Sequence, residues 1–333
     1  MSGSQSTAKE LRPAAPGPGR AANPGPLRIG LVGCGRLAEL GYLPALARTR
    51  AVQVVGVADP HPHRRQRLAE RTGAVADVDA AAMLERGHVD AIVLATPAET
   101  HLADARLATA ARVPVLIEKP PAARLSEAVE LARLEPSPWV AFNRRFAPGR
   151  RELRDALAGK RVAELELALH YRRRSWNAYT VADDALLDLG PHLIDLARWL
   201  CGPVTRVRAL RVTHHRAALE LELERGRAQI SCATDRLHRE RLDVRDGRGA
   251  MKAADRANGL AGGLLARLHL RRREHPLAFS LGGQLGAFAR AARGGAEPSL
   301  GTARDGVAVM AVMDAARRSD QRRGAWVGVE GNG

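Results

Sequence analysis

Short apolar segments alternate with segments of helical character between residues 27 and about 145, and this alternation most constrains the fold. The apolar segments are Leu27–Val32, Val52–Ala58, Ala91–Ala95, Val113–Ile117 and Trp139–Phe142. Each shows continuous rather than alternating hydrophobicity, apart from Arg28 and Gln53, which is typical of strands that are covered on both faces. We therefore predict a parallel sheet with crossover helices, in an α/β arrangement.

After Pro148 the pattern changes to an alternation of polar and apolar residues. In Val162–His170, for example, Glu164 and Glu166 alternate with leucines. Such alternation indicates antiparallel strands with one covered face. Further β-like segments are Thr205–Val212, Ala218–Leu223 and Ala228–Cys232, and helices are predicted over about Asp184–Leu200, Phe279–Ala292 and Thr302–Arg318. The second half is thus predicted to be an α+β domain with an open, mainly antiparallel sheet.

The chain length of 333 residues suits about two domains. We predict a disordered tail over residues 1–26, a nucleotide-binding domain over 27–147, and a substrate-binding and oligomerisation domain over 148–333. The last helix is expected to pack back on the first domain. The three scattered cysteines are typical of a reducing compartment, and no apolar run approaches the roughly 18 residues that span a bilayer, so a cytoplasmic protein is expected.

The net charge of +16 admits two interpretations. A polyanionic partner is one, and a general bias of the composition toward arginine is the other. Basic residues cluster at Arg172–Arg174 and Arg271–Arg273, but no aromatic residues interleave them as in proteins that stack nucleic-acid bases. Nucleic-acid binding is therefore disfavoured, and a phosphate-bearing substrate is favoured over it.

The first apolar segment ends in Gly33-Cys34-Gly35-Arg36-Leu37-Ala38, which matches the pattern G-x-G-x-x-A. The first glycine permits a tight turn, the second lets the backbone approach a pyrophosphate, and Ala38 allows close packing of helix on strand. An ordinary glycine turn is the alternative. The preceding strand and following helix favour a Rossmann-type dinucleotide site, with Gly33, Gly35, Arg36 and Leu37 at the cofactor.

Asp59 ends the second apolar segment, 24 residues after Gly35. An acid at this point can accept hydrogen bonds from the adenosine ribose and repels a 2′-phosphate, so NAD is favoured. A basic cluster follows at once and could instead hold the 2′-phosphate of NADP; its members are His61, His63, Arg64 and Arg65. The choice between NAD and NADP stays open at this point, with NAD preferred.

Thr96-Pro97 and Glu118-Lys119-Pro120 follow the next two long apolar segments. Ligands of open α/β sheets bind outside the carboxyl ends of the strands, so Thr96, Pro97, Glu118 and Lys119 are predicted to border the cofactor. Lys119 could also donate to a substrate oxygen and stabilise alkoxide charge, although a surface lysine is the alternative. His101 is a weaker candidate for the cofactor site because it follows the Thr96-Pro97 loop.

Asp188 and His192 stand four residues apart on one predicted helix face. His192 could carry the proton of a substrate hydroxyl, and Asp188 could bind that hydroxyl or tune the imidazole. Asp195, one turn further, could orient His192. Half of a metal site and a structural pair are the alternatives; no second set of ligands with suitable spacing lies nearby, so no metal is predicted.

Taken in order, these motifs resemble the glucose-fructose oxidoreductase, inositol dehydrogenase and rhizopine-catabolism (Gfo/Idh/MocA) oxidoreductase family. The matching pieces are Gly33–Ala38, Asp59, Thr96-Pro97, Glu118–Pro120, Asn143-Arg144-Arg145-Phe146, Asp188–Asp195 and the closing segment from Thr302. The resemblance spans most of residues 27 to 330. It departs before the Asp/His helix, where relatives carry a glycine run and this chain has Val181-Ala182-Asp183-Asp184-Ala185.

The resemblance implies a Rossmann domain joined to an open antiparallel sheet whose face forms homodimers or homotetramers. It implies that Lys119 and His192 are catalytic, that Asp188 binds substrate or assists His192, and that the peptide before Pro120 is cis. Further candidates for substrate contact are Arg145, Trp176 and Asn177.

We therefore expect an NAD(P)-dependent oxidoreductase that acts on a secondary alcohol or ketone of a sugar, cyclitol or nucleotide-sugar. The partner is then a polyol, ketosugar or nucleotide-sugar, with neither membrane nor nucleic acid. A non-catalytic sensor of nucleotides or sugar nucleotides is the alternative, because a fold does not fix a function.

Overall fold

The computed structural model describes residues 25–173, 184–246, 251–258 and 276–330, and its strands form two seven-stranded sheets. The first sheet contains β1 (Leu27–Val32), β2 (Val52–Ala58), β3 (Val75–Asp77), β4 (Ala91–Leu94), β5 (Val115–Ile117), β6 (Trp139–Val140) and the late β13 (Gly301–Thr302). Their order is β13-β6-β5-β4-β1-β2-β3. All neighbours are parallel except β13, which runs antiparallel to β6.

Helices connect these strands as crossovers. They are a π-helix (Ala38–Tyr42), α1 (Leu43–Leu46), α2 (Pro62–Thr72), α3 (Ala80–Arg86), α4 (Ala98–Ala110) and α5 (Leu125–Ala132). Every residue of β4 is buried, as expected for a central strand covered on both faces. The predicted Rossmann-type sheet is therefore confirmed.

The second sheet confirms the predicted open, mainly antiparallel arrangement. Its strands are β7 (Val162–Arg172), β8 (Val204–Val212), β9 (Arg216–Leu223), β10 (Gly226–Ala233), β11 (Asp235–Arg245), β12 (Met251–Asn258) and β14 (Val327–Gly328). Their order is β12-β11-β7-β10-β9-β8-β14, and only the pair of β7 and β10 is parallel.

One face of this sheet is covered and the other carries ion pairs. The long helix α7 (Ala185–Cys201) packs against β7, β9 and β10. In β9, Leu219 and Leu221 are buried, whereas Glu220 and Glu222 point to the other face. There they pair with arginines of β8, as in the 2.6 Å contact of Arg208 with Glu220.

The C-terminal part of the chain returns to the first sheet. Before it, a 3-10 helix (Asn143–Phe146) and α6 (Arg150–Leu157) link the two sheets. The helix α8 (Pro276–Ala291) packs on the 3-10 helix, the π-helix and α1, and α9 (Ala303–Gln321) contacts both α5 and α7. The domain boundary at residue 147 stays a prediction.

The helix α5 begins at Leu125, where Glu127 accepts a hydrogen bond of 3.2 Å from the backbone amide of Arg124. The predicted N-terminal tail up to residue 24, Arg271–Arg273, Trp176 and Asn177 lie outside the described residues. Within the described part of the chain, no helix combines the length and apolar character needed to cross a membrane.

Candidate active site

The glycine turn after β1 is shaped for the close approach of a ligand. Gly33 has φ of +96°, and a Cβ atom there would lie 2.5 Å from the carbonyl oxygen of Ala95. Only glycine adopts this conformation without strain. At Gly35, by contrast, a Cβ atom would meet no heavy atom of the described residues within 4 Å. The turn is therefore closed against β4 at Gly33 and open at Gly35.

Asp59 fastens the end of β2 to this turn. Its Oδ2 accepts a hydrogen bond of 2.9 Å from the amide of Cys34, and its Oδ1 accepts one of 2.8 Å from the amide of His61. The side chain is 6% exposed. Arg65 turns back to donate to the carbonyl oxygens of Asp59 and Pro60 at 3.2 and 3.1 Å. The carboxylate thus lies beside the turn and fixes the backbone at Cys34 and His61.

Arg36 and Leu37 stand at the start of the π-helix. The Nη1 of Arg36 donates to Glu39 at 3.1 Å, and the Arg36 side chain is 28% exposed. Leu37 is partly buried against the core between the first sheet and α8. Arg36 is therefore at the rim of the turn, and Leu37 supports the turn from within.

His101 braces two loops at the carboxyl edge of the first sheet. Its Nε2 lies 3.0 Å from the carbonyl oxygen of Thr96, and its Nδ1 lies 3.2 Å from that of Pro121. The ring is 1% exposed, and burial lowers its pKa. Pro97 occupies the N-cap position of α4, and the hydroxyl of Thr96 lies 2.9 Å from that of Thr100. His101 thus supports the loop of Thr96 and Pro97 from beneath.

Glu118 connects the π-helix that follows the glycine turn to the loop that contains Lys119. Its Oε1 accepts a hydrogen bond of 2.7 Å from the hydroxyl of Tyr42, and its Oε2 accepts one of 3.1 Å from the amide of Lys119. Burial raises the pKa of both Glu118 and Tyr42. The peptide between Lys119 and Pro120 is cis, as the family resemblance implied. Because both of its carboxylate oxygens are already bonded, Glu118 fixes the backbone of Lys119.

Lys119 reaches across to the first turn of α7. Its Nζ donates to the backbone oxygen of Asp188 at 2.8 Å and lies 3.6 Å from the Oδ1 of the same residue. The side chains of Lys119 and Asp188 are 15% and 17% exposed. The lysine and the aspartate, 69 positions apart in the sequence, therefore share one partly open site.

Two residues at the end of β7 hold the other oxygen of Asp188. The Oη of Tyr171 donates to Oδ2 at 2.5 Å, and the Nη2 of Arg173 donates to it at 3.0 Å. Burial disfavours the ionised carboxylate, but Lys119, Tyr171 and Arg173 outweigh it and lower the pKa of Asp188. Sequence reasoning missed Tyr171 and Arg173, although they directly follow the predicted strand Val162–His170.

His192 lies one turn after Asp188 and is half-buried. Its Nδ1 is enclosed and has no hydrogen-bond partner among the residues that the structure describes. Burial, together with the positive charges of Lys119 and Arg144, holds its pKa well below the ordinary value of 6.5. The imidazole is therefore neutral and able to accept a proton. Arg144, which pairs with Glu240 of β11, is a further neighbour that the sequence did not single out.

Asp195 does not orient His192, contrary to expectation. Its two oxygens accept hydrogen bonds of 2.9 and 2.5 Å from Arg145, and its side chain is fully buried. Arg145 is 2% exposed and also lies 3.2 Å from Asp305 of α9. This enclosure keeps the Arg145 guanidinium away from solvent, so substrate contact is not supported for it. The pair instead fastens α7 to the 3-10 helix.

Comparison with known proteins agrees with this geometry. Residues 27–140 match the model of the oxidoreductase family with an NAD-binding Rossmann fold, and residues 160–251 match the C-terminal domain of the same Gfo/Idh/MocA family. The rhizopine catabolism protein MocA of Rhizobium meliloti is 28% identical over 87% of this chain and 93% of its own length.

Other relatives extend the comparison. Inositol 2-dehydrogenase 4 of Saccharopolyspora erythraea is 33% identical, but the match covers 57% of this chain and 58% of that protein, little more than half of each. The WlbA dehydrogenase of Bordetella pertussis, solved with NADH and UDP-GlcNAcA, superposes with a TM-score of 0.75 at 20% identity, over 92% of this chain and 99% of that one. The two family models together cover more than half of the chain, which therefore belongs to the Gfo/Idh/MocA family of NAD-binding oxidoreductases.

Proposed function

We propose that this oxidoreductase transfers a hydride between NAD and a secondary alcohol or ketone of a sugar, cyclitol or nucleotide-sugar. The observation that carries the proposal is the meeting of Lys119 with the first turn of α7, at the carboxyl edge of the sheet that holds the glycine turn. Lys119, Asp188 and His192 thereby supply a cation, a carboxylate and a neutral base within one partly open site.

The glycine turn fits a dinucleotide. The open side of Gly35 would admit the pyrophosphate, and the carboxylate of Asp59 lies where it could accept hydrogen bonds from the ribose. That acid supports NAD over NADP, because a 2′-phosphate beside it would be repelled. When bound, the nicotinamide accepts or returns the hydride.

Each residue of the site has a distinct task in this proposal. In the direction of oxidation, Lys119 binds the reacting hydroxyl and stabilises the alkoxide that develops as the proton leaves. His192 takes that proton, and because its Nδ1 is enclosed, Nε2 is the nitrogen that would face the substrate. In the direction of reduction, His192 returns the proton and Lys119 holds the ketone oxygen.

The substrate class rests on the relatives. Those with similar sequences include inositol dehydrogenases and a reductase of a dTDP-linked deoxysugar. A sugar-like polyol, its ketone, or a nucleotide-linked form of either is thus the expected substrate.

The proposal is tested by cofactor titration followed by a substrate screen. Purified protein is titrated with NADH and with NADPH by nicotinamide fluorescence, and polyols, ketosugars and nucleotide-sugars are then assayed with the cofactor that binds. We expect NADH to bind more tightly than NADPH and at least one member of the panel to be turned over. Tight NADH binding without turnover of any compound would favour a sensor over an enzyme.

A further inference from the structure

The carboxylate of Asp188 is held differently at its two oxygens. Oδ2 accepts from both Tyr171 and Arg173, at 2.5 and 3.0 Å, whereas Oδ1 faces only Lys119, at 3.6 Å, among the residues that the structure describes. Oδ2 is thus occupied by two donors, one from β7 and one from the residue after it. Oδ1 retains capacity for a further hydrogen bond, since an ionised carboxylate oxygen accepts about two.

We propose that Tyr171 is a positioning residue that, with Arg173, clamps Asp188 so that Oδ1 stays directed at Lys119 and at the substrate hydroxyl bound there. This inference rests on the proposed function for the identity of the substrate, but the clamp itself does not. It assigns Asp188 to the binding of the hydroxyl and leaves His192 to work without a carboxylate partner.

The placement of Tyr171 on β7 supports this assignment. Neighbouring residues of a strand point to opposite faces of the sheet. His170 lies on the face away from α7, where its Nε2 lies 2.9 Å from the hydroxyl of Ser231. Tyr171 therefore points toward α7, which carries Asp188, and its hydroxyl donates to Oδ2 of Asp188 and also interacts with Arg173.

The groups that face Asp188 come from three elements besides its own helix. Lys119 approaches from the loop after β5, Tyr171 and Arg173 from the end of β7 and the residue that follows it, and the buried thiol of Cys232 from β10. Two cations and one hydroxyl donor thus surround a carboxylate that is largely removed from water. Removing the hydroxyl alone, in Tyr171→Phe, leaves the ring packing intact and takes one donor from Oδ2.

The first test needs no substrate. Protein labelled with ¹³C at the aspartate carboxyl carbons is titrated by NMR, and the resonance of Asp188 is assigned as the one missing in Asp188→Asn. We expect the titration of Asp188 to move to higher pH in Tyr171→Phe and in Arg173→Lys, because each change weakens a donor to the ionised form. Ser231→Ala, which alters a hydrogen bond on the opposite face of the sheet, should leave it unchanged. An Asp188 titration that is the same in Tyr171→Phe as in the unmodified protein would overturn the clamp.

The second test separates positioning from general damage. With a substrate from the screen, Tyr171→Phe should raise KM about tenfold or more, the effect of one hydrogen bond to a charged group, with a smaller change in kcat. A fall in kcat with unchanged KM, or an equal loss in Ser231→Ala, would indicate a structural defect and contradict the proposal. If the NMR titration shifts but no compound is turned over, the clamp stands and the proposed function fails.

Discussion

The buried pair of Arg145 and Asp195 allows a stability prediction with a defined magnitude. Asp195 is fully buried, Arg145 is 2% exposed, and hydrogen bonds of 2.9 and 2.5 Å join them. In Arg145→Met the carboxylate stays buried but loses both donors. Leaving one member of a buried ion pair uncompensated costs about 3–5 kcal/mol. We expect Arg145→Met to lose about that much free energy of unfolding at pH 7.

The loss should depend on pH in a defined direction. Burial raises the pKa of Asp195, and Arg145 opposes that rise. Without Arg145, the pKa in the folded protein lies still further above that of the unfolded chain. A carboxyl group whose pKa is higher in the folded than in the unfolded state stabilises the folded state at low pH, and this stabilisation is lost as the pH rises. The deficit of Arg145→Met is therefore smallest near or below the unfolded pKa of about 3.9 and grows toward pH 7.

Urea denaturation at pH 4.5 and at pH 7 measures both effects. Arg124→Met is the matched control, because Arg124 pairs with Glu127 while its side chain is 76% exposed, and exposed pairs contribute only about 0–1 kcal/mol. The double variant Arg145→Met/Asp195→Leu should recover most of the loss, since it buries no charge at this position. A loss below about 1 kcal/mol, or no recovery in the double variant, would refute the reasoning.

Three further predictions concern the cofactor turn and the acid–base residue. Gly33→Ala should lower the melting temperature, because alanine at φ of +96° is strained and its Cβ would lie 2.5 Å from the oxygen of Ala95. Gly35→Ala should keep the melting temperature but weaken NADH binding by about tenfold or more, since its Cβ would occupy the open side of the turn; equal NADH affinity would contradict this. Because His192 is neutral above a lowered pKa, the rate of alcohol oxidation should fall only as the pH drops below that pKa. A plot of kcat against pH should therefore show its acid limb below 6.5, and a limb due to His192 at or above 6.5 would contradict the burial argument.

Most of the first sheet could be predicted from the sequence because its longer strands are almost continuously apolar. Val52–Ala58 is found with its predicted bounds, and β4 ends one residue before the predicted Ala95. The strand β11 was missed because it is rich in charged residues. In this strand Leu242 and Val244 are buried in the core. Arg241 forms an ion pair with Glu166 on the outer face of the sheet. A single sequence does not show which charges will be paired in this way.

Residues of the candidate site could be predicted where they stand at the end of a strand or share one helix face with another polar residue. The partners of buried or strand-end side chains could not be predicted where those partners are distant in sequence. Lys119 and Asp188 meet, as their motifs suggested. Asp195 was misassigned because helical spacing places it near His192, whereas its partner Arg145 comes from 50 positions away. Tyr171 was missed because it directly precedes the basic residues Arg172–Arg174, a sequence typical of a solvated surface. Only the fold brings its hydroxyl to Asp188.

The central claim, that Lys119 and His192 carry out the chemistry of an NAD-dependent dehydrogenase, is tested most directly by kcat/KM of Lys119→Met and His192→Asn on the substrate found by the screen. Lys160→Met and His214→Asn are the controls, because both residues are exposed and lie outside the site. We predict a loss of at least about 100-fold in each site variant, the usual contribution of a positioned acid–base group, with NADH binding retained and both controls unaffected. Unchanged turnover in Lys119→Met or His192→Asn would contradict the account.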